Sequence, residues 1–297
     1  MKQMKNLLRY GALLLLVAGA SLRGTAQETQ VDRDVVYGEA GGEQLKLDVY
    51  RKANQNAVLP AIIAVHSGGW ISGDKKEFAD ICRGLADAGF VAFSVNYRLV
   101  KENTNKWPAQ LDDVQRAVRW IRANAAKYKI DPNRIGAVGA SAGGHLVAHL
   151  GTRETRDNTD AALAQYSSRV TCVIDLFGPT DLTLTPEAAN VSPIAVALVQ
   201  GLIGKTPEEA PEAYKDASPI AFVDKKTVPM LIYHGTVDPL VPLDQSERLY
   251  KRLKEEGIEV QIIKGEGEGH SMPLKPETGQ QLLGAAFLFL TLHLQAP

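Results

Sequence analysis

The chain has 297 residues, of which 45% are hydrophobic and 23% charged, and its formal net charge is −1. This near-neutral charge and the lack of any Lys/Arg run exclude the basic surface that nucleic-acid binding requires. The six histidines are scattered and no Cys-x-x-Cys pair occurs, so neither a metal site nor a bound cofactor is predicted.

The N-terminus is organised like a secretory signal peptide. A basic head of Lys2, Lys5 and Arg9 precedes an apolar run, residues 12–20, that is too short to span a bilayer. Residues 24–26, Gly-Thr-Ala, provide a small-x-small cleavage site, and residues 18–20, Ala-Gly-Ala, are a second candidate. We therefore expect this leader to be removed and the protein to be exported, either periplasmic or secreted, without stable membrane association afterwards. An uncleaved N-terminal anchor is the alternative.

Behind a signal peptide of residues 1–26, residues 27–297 suit one large domain. Two runs that flank Gly41 and Gly42 predict a hairpin, and from residue 60 onwards apolar strands alternate with amphipathic helices. The predicted strands cover residues 33–38, 45–50, 61–65, 90–95, 135–138, 170–176, 228–233 and 258–263. The predicted helices cover residues 74–88, 108 to about 125, 141–150, 243–256 and 279–294.

This alternation predicts an α/β fold, with a mostly parallel central sheet and helices on both of its faces. The Ala- and Pro-rich stretch 183–226 breaks the rhythm and is a candidate lid or substrate-pocket insertion. Cys82 and Cys172 lie in apolar surroundings on a predicted helix and a predicted strand. Buried free thiols are therefore favoured, although export would permit a disulfide.

The pattern Gly-x-Ser-x-Gly at residues 139–143 follows the short apolar strand 135–138 and precedes a helix. In such an elbow the serine occupies a strained strand-to-helix turn, and its hydroxyl stands clear of the sheet. The helix N-terminus adds free N–H groups that suit a developing oxyanion. Ser141 is therefore a candidate nucleophile, and a Gly-rich turn with an ordinary serine is the alternative.

Two further side chains that follow predicted strand ends could supply the base and the carboxylate that a serine nucleophile needs. Asp238 lies in a loop beyond the strand that ends at Tyr233, and a turn-forming Asp before Pro239 is the alternative. Asp244, its nearest competitor, suits the start of a helix. His270 lies in a Gly-rich loop with no apolar periodicity, where an imidazole can take and return a proton.

The other histidines fit structural roles. His145 and His149 are predicted to pack on the elbow helix, His234 to make a structural hydrogen bond, and His293 to lie on the last helix.

Backbone donors for an oxyanion are expected at two places. One is the N–H of Ala142, the residue after the candidate nucleophile. The other is the loop His66-Ser-Gly-Gly-Trp70, where Gly68 and Gly69 let bare backbone approach a substrate. A simple Gly-Gly turn is the alternative for that loop.

Taken together, these motifs resemble the α/β-hydrolase superfamily over about residues 35–295. Within it they look like the esterase/lipase branch with an H-G-G-G-W loop, which includes hormone-sensitive-lipase-like esterases and bacterial feruloyl and acetyl-xylan esterases. Asn96-Tyr-Arg98, Trp107-Pro-Ala109 and Asp112-Asp-Val114 contribute to the likeness. Ser67 departs from the family, which usually has glycine there.

The resemblance implies a serine carboxylic-ester hydrolase that acts through an acyl-enzyme. Ser141 would be the nucleophile, His270 the general base and Asp238 its orienter, while the N–H groups of Gly68, Gly69 and Ala142 would form the oxyanion hole. The implied substrate is a small acyl or plant-wall carbohydrate ester, acetyl or feruloyl. A prolyl-oligopeptidase-like serine peptidase and an inactive binding module on the same fold are the alternatives.

Overall fold

The computed structural model describes residues 28–183, 192–272 and 274–295. The predicted signal peptide and part of the predicted insertion lie outside these ranges, so both remain predictions. Within them the chain forms an eight-stranded sheet in the order β1-β2-β4-β3-β5-β6-β7-β8. The strands are β1 Thr29–Ala40, β2 Glu43–Lys52, β3 Leu59–Val65, β4 Val91–Val95, β5 Ile130–Ala140, β6 Cys172–Leu176, β7 Met230–Gly235 and β8 Val260–Gly265.

Strands β3 to β8 run parallel to one another, and the predicted hairpin β1–β2 adds an antiparallel edge beside β4. The helices of the described residues connect the strands. They are α1 Ala79–Asp87, α2 Ala109–Ala123, α3 Ala125–Tyr128, α4 Ala142–Thr152, α5 Pro193–Ile203, α6 Pro211–Asp216, α7 Leu243–Glu255 and α8 Pro276–Leu294. This is the predicted α/β-hydrolase fold.

The sheet has a hydrophobic core on each face, because successive residues of a strand point to opposite sides. On β3, for example, Ile63 belongs to one core and Ile62 to the other. Helices α2, α4 and α7 bury apolar residues on the first face, while α1 and α8 cover the second. Cys82 and Cys172 are both buried and free in the second core, which confirms the prediction of free thiols.

The predicted elements differ from the structure mainly at their ends. Helix α2 begins at Ala109, one residue later than predicted, and Pro108 lies at its N-cap. The 3₁₀ turn Lys75–Phe78 has the predicted capping box, because Asp74 accepts from the Lys76 N–H and Glu77 accepts from the Asp74 N–H.

None of the helices in the described ranges is long and apolar enough to cross a membrane.

Candidate active site

The strand-to-helix elbow places Ser141 at φ 54° and ψ −118°, a conformation that L-residues rarely adopt. Such a backbone costs on the order of 1–3 kcal/mol and persists only where the surroundings hold it. Two backbone bonds do so: the Ser141 N–H donates to Leu176 O at 2.8 Å, and the His145 N–H donates to Ser141 O at 2.9 Å. The neighbouring strand β6 and helix α4 therefore fix the direction of the serine side chain.

The glycines of the elbow are required by close backbone contacts. A Cβ on Gly139 would lie 2.3 Å from Gly143 O, and a Cβ on Gly143 would lie 2.1 Å from Val65 O. Both distances are far below any normal contact, so helix α4 can approach strand β3 this closely only without side chains there. The same crowding that selects glycine presses the elbow against the end of β3, where the Gly68–Gly69 loop begins.

We expect Gly143→Ala to lower the melting temperature, because the new methyl group would force the backbone of α4 away from Val65. Overpacking of this kind costs about 1–3 kcal/mol, which lowers the melting temperature of a chain of this size by about 2 °C or more. Gly284→Ala on helix α8 is the matched control, since a Cβ there meets no atom within 4 Å. It should raise stability slightly, by up to about 1 kcal/mol. Differential scanning calorimetry that showed equal shifts for both variants would contradict the crowding argument.

Two loops beyond β7 and β8 carry Asp238 and His270, and they are tied to each other. The Val237 N–H donates to Glu268 O at 3.0 Å, and the Gly267 N–H donates to Thr236 Oγ1 at 2.9 Å. A buried side-chain bond reinforces this contact, because the Tyr233 hydroxyl donates to Glu268 Oε2 at 2.9 Å. The parallel pairing of β7 with β8 therefore sets the acid and the imidazole side by side.

The three side chains form one continuous hydrogen-bonded chain. His270 Nδ1 lies 2.6 Å from Asp238 Oδ2, and His270 Nε2 lies 2.8 Å from Ser141 Oγ. A carboxylate can only accept, so the imidazole proton is on Nδ1 and the bare Nε2 accepts from the serine hydroxyl. This is the tautomer that a general base needs.

Asp238 is held as a carboxylate by its donors. Burial alone would raise the pKa of this side chain, but hydrogen bonds from His234, His270 and the Leu240 N–H hold the pKa well below its usual range. Oδ1 accepts from the N–H groups of Leu240 and Val241, both at 2.9 Å. The side chain is fully buried, whereas that of His270 is 13% exposed. A fixed negative charge thus faces the imidazole from its protected side.

The loop after β3 has three successive residues with positive φ: Gly68 at 104°, Gly69 at 59° and Trp70 at 64°. Ser67, which departs from the family pattern, is not among the residues with positive φ, so its side chain imposes no such strain. Gly68 O accepts from the Ile71 and Ser72 N–H groups. The N–H groups of Gly68, Gly69 and Ala142 have no hydrogen-bond partner among the described residues. They remain available to an acceptor in the cavity.

A cavity of about 670 Å³ connects these groups. Ser141, His270, Gly68, Gly69 and Ala142 all line it. Most of the other lining side chains are apolar, and they include Trp70, Phe177, Leu182, Leu240 and Val241. The predicted insertion contributes Ala195, Val196, Leu198, Val199 and Tyr214. Over residues 28–183, 192–272 and 274–295, no three His, Cys, Asp or Glu side chains are grouped to hold a metal ion.

Sequence reasoning missed several residues around the site. His234 makes the predicted structural bonds, to Ser246 Oγ and Val241 O, but its Nε2 also lies 3.3 Å from Asp238 Oδ2. Phe177 meets the His270 ring edge-on, with centroids 4.9 Å apart. The four-residue spacing of His234 and Asp238 was the available signal for the first contact. Nothing local marks the second, because Phe177 follows a different strand.

Asp175, at the end of β6, is also a residue that the sequence did not single out. It is fully buried, and burial raises the pKa of its side chain to about 6. Its Oδ1 accepts from the Gly178 N–H at 2.9 Å, and a Cβ on Gly144 would lie 2.3 Å from the same atom. Gly144 must therefore be glycine, because the carboxylate of Asp175 occupies the space that a Cβ would need.

A serine, an imidazole and a buried carboxylate, joined in this order at the carboxyl edge of a parallel sheet, define the α/β-hydrolase class. Residues 47–253 match the BD-FAE family, and the chain belongs to this family, within the esterase/lipase branch of that class.

Similar proteins carry esterase names. The chain is 32% identical to esterase LipC of Mycobacterium tuberculosis (strain ATCC 25618 / H37Rv) over 82% of this chain and 60% of LipC. Its structure is similar to a truncated carbohydrate esterase from gut microbiota, with a TM-score of 0.77 and 32% identity over 91% of this chain and 98% of that one. Thermogutta terrifontis esterase 2 phosphorylated by paraoxon is also similar, with a TM-score of 0.74 and 25% identity over 94% and 100%. The chain spans 52 to 60% of the length of the mycobacterial relatives LipM, LipC and LipQ.

Proposed function

We propose that this protein is a serine carboxylic-ester hydrolase that works through an acyl-enzyme. The observation that carries the proposal is the hydrogen-bonded chain from Ser141 Oγ through His270 to Asp238, facing a cavity with free backbone N–H groups. The esterase names of similar proteins support it. The alternatives of a serine peptidase and an inactive binding module have no separate observation in their favour.

In the proposed mechanism Ser141 Oγ attacks the ester carbonyl carbon while its proton passes to His270 Nε2. The N–H groups of Gly69 and Ala142, with that of Gly68, bind the oxyanion of the tetrahedral intermediate. Collapse breaks the bond to the alcohol, which leaves with the proton from His270. Water then attacks the acyl group, gives its proton to His270, and the acid departs as the proton returns to Ser141.

A fluorophosphonate probe tests the nucleophile directly. We expect one probe molecule to attach per protein and mass spectrometry to locate it on the peptide that contains Ser141. Hydrolysis of p-nitrophenyl acetate should fall in proportion to labelling. An unlabelled protein, or one labelled elsewhere without loss of turnover, would reject the proposal. Turnover of aminoacyl p-nitroanilides far above that of esters would favour a peptidase instead.

For the substrate, we propose esters of small or aromatic acids with a carbohydrate alcohol. The apolar cavity around Ser141 suits an acetyl or feruloyl group, while the polar cavity residues Glu77, Asp181 and Gln200 suit sugar hydroxyl groups. One similar protein is named a carbohydrate esterase, which supports this choice. Rates on p-nitrophenyl esters of increasing chain length, beside acetyl-xylan and methyl ferulate, test it. Turnover restricted to long acyl chains would exclude the carbohydrate proposal.

We also propose that the protein is exported after removal of the N-terminal leader. The basic head, the short apolar run and the small-x-small site at residues 24–26 support this. N-terminal sequencing of the protein from its host should find a start near Gln27. An intact N-terminus on a cell-associated protein would favour the anchor instead.

A further inference from the structure

Trp70 requires a specific restraint, because it is a bulky residue with positive φ directly after Gly68 and Gly69. It is only 3% exposed, and two hydrogen bonds hold it. The Val100 N–H donates to Trp70 O at 2.9 Å, and the Trp70 indole N–H donates to His145 Nδ1 at 3.3 Å. The two rings meet edge-on with centroids 5.3 Å apart. The backbone of the loop is thus fixed from one side by Val100, in the segment that follows β4, and from the other by His145.

His145 can accept this bond only as one tautomer. Its Nε2 lies 2.7 Å from Ala217 O, and a carbonyl can only accept, so Nε2 carries the proton. The remaining nitrogen, Nδ1, is bare and faces the indole, which can only donate. Burial lowers the pKa of His145 to about 4, so the ring stays neutral at ordinary pH. Both ring nitrogens thus have hydrogen-bond partners, and the bond to Ala217 O and the bond from Trp70 each require the proton to be on Nε2.

The place of His145 in the fold connects three parts of the site. It lies one helical turn after Ser141 on α4, the helix whose first N–H belongs to Ala142. Its Nδ1 contacts the Gly68–Trp70 loop, and its Nε2 contacts the segment after α6, which belongs to the predicted insertion. The side chain of His145 therefore fixes the position of the Ala142 N–H relative to the N–H groups of the facing loop.

We propose that His145 is a positioning residue that sets the geometry of the oxyanion hole through its hydrogen bond to Trp70. This proposal rests on the proposed ester hydrolysis. It replaces the sequence-based interpretation of His145 as a residue that only packs the core. A residue that only packs would change stability, whereas a positioning residue changes kcat with little effect on KM.

The test compares variants that remove the same bond from either side. Trp70→Phe deletes the indole N–H and keeps an aromatic ring, while His145→Leu deletes both imidazole bonds. Each should lower kcat for p-nitrophenyl acetate about tenfold or more, with KM changed less than about threefold. The double variant should be no slower than the slower single variant, because each change already breaks the same hydrogen bond between Trp70 and His145. His145→Gln keeps one acceptor and one donor and should restore most of the lost kcat.

Trp107→Phe is the matched control. Trp107 packs on His145 with centroids 5.3 Å apart and donates to Asp216 Oδ2 at 2.8 Å, but it makes no bond to the loop of Gly68 and Gly69. Its loss should lower the melting temperature and leave kcat within about twofold. The proposal fails if Trp107→Phe slows turnover as much as Trp70→Phe, or if the losses of Trp70→Phe and His145→Leu multiply.

These outcomes are separate from a failure of the proposed function. For every variant, the rate that is compared is its turnover minus the turnover of Ser141→Ala. If Ser141→Ala were as active as wild type, the proposed function itself would be rejected. Ser141-dependent activity of Trp70→Phe that stays within about twofold of wild type rejects only the role of His145. If His145→Leu does not fold, the comparison of Trp70→Phe with Trp107→Phe still decides the question.

Discussion

Ser141→Ala should reduce kcat/KM for p-nitrophenyl acetate by on the order of 10⁴-fold or more. The hydroxyl that would form the acyl-enzyme is removed, and His270 Nε2, 2.8 Å away in the wild type, keeps no group to deprotonate except water. Loss of the nucleophile in a triad leaves only the contribution of substrate binding and the oxyanion hole. The expected residual rate is therefore small and should not respond to a fluorophosphonate.

The fold should tolerate this change. Alanine at position 141 has the same unfavourable φ of 54° as serine, and the lost hydrogen bond is worth about 1 kcal/mol. The melting temperature should therefore move by only a few degrees. Ser167→Ala, at an exposed serine far along the chain from the elbow, is the matched control and should keep full activity. Turnover by purified Ser141→Ala within about tenfold of wild type would exclude Ser141 as the nucleophile.

The fold was predictable because its signals are local. Apolar runs of five or six residues identify buried strands such as β3, and the glycines at 41 and 42 mark the turn between β1 and β2. Element ends were less predictable. The ends of β5, which starts at Ile130, depend on pairing with β3 and not on its own sequence, where Asp131, Pro132 and Asn133 argue against a strand. Tertiary pairing outweighed local propensity there.

The meeting of Ser141, Asp238 and His270 was predictable for a topological reason. Each follows the end of a predicted strand, and the ends of parallel strands share one edge of the sheet. The restraints around them were not predictable. The bond from Trp70 to His145 joins residues 75 positions apart, and that from Tyr233 to Glu268 joins residues 35 apart. Neither pair has a periodicity or spacing that marks a contact, so only the packed structure shows them.

Asp238→Asn is expected to lower kcat by about 10⁴-fold with a smaller effect on KM. The asparagine oxygen would keep the bonds from the Leu240 and Val241 N–H groups, which leaves its NH₂ group facing His270 Nδ1. A donor there forces Nδ1 to accept, so the imidazole proton moves to Nε2 and points at Ser141. The histidine could then no longer take the serine proton. Activity is lost although every site residue stays in place.

The same substitution predicts a pH-dependent loss of stability. The pKa of Asp238 is lowered in the folded protein, so its stabilising effect is complete above the unfolded value of about 4 and is lost as the pH falls through the lower folded value. The melting temperature of Asp238→Asn should therefore lie a constant amount below that of wild type above about pH 5. The difference should shrink as the pH is lowered below about 4.

Asp244→Asn is the matched control for both effects, since Asp244 was the competing candidate for the acid. Its side chain is 45% exposed and pairs with Arg248 on the surface of α7. Exposed pairs of this kind contribute at most about 1 kcal/mol to the free energy of unfolding. Since Asp244 makes no bond to His270 among the described residues, kcat should stay within about twofold of wild type. A loss of activity in Asp244→Asn with an active Asp238→Asn would reverse the assignment of the acid. If Asp238→Asn and Asp244→Asn both kept the activity of wild type, His270 would need no carboxylate to orient it.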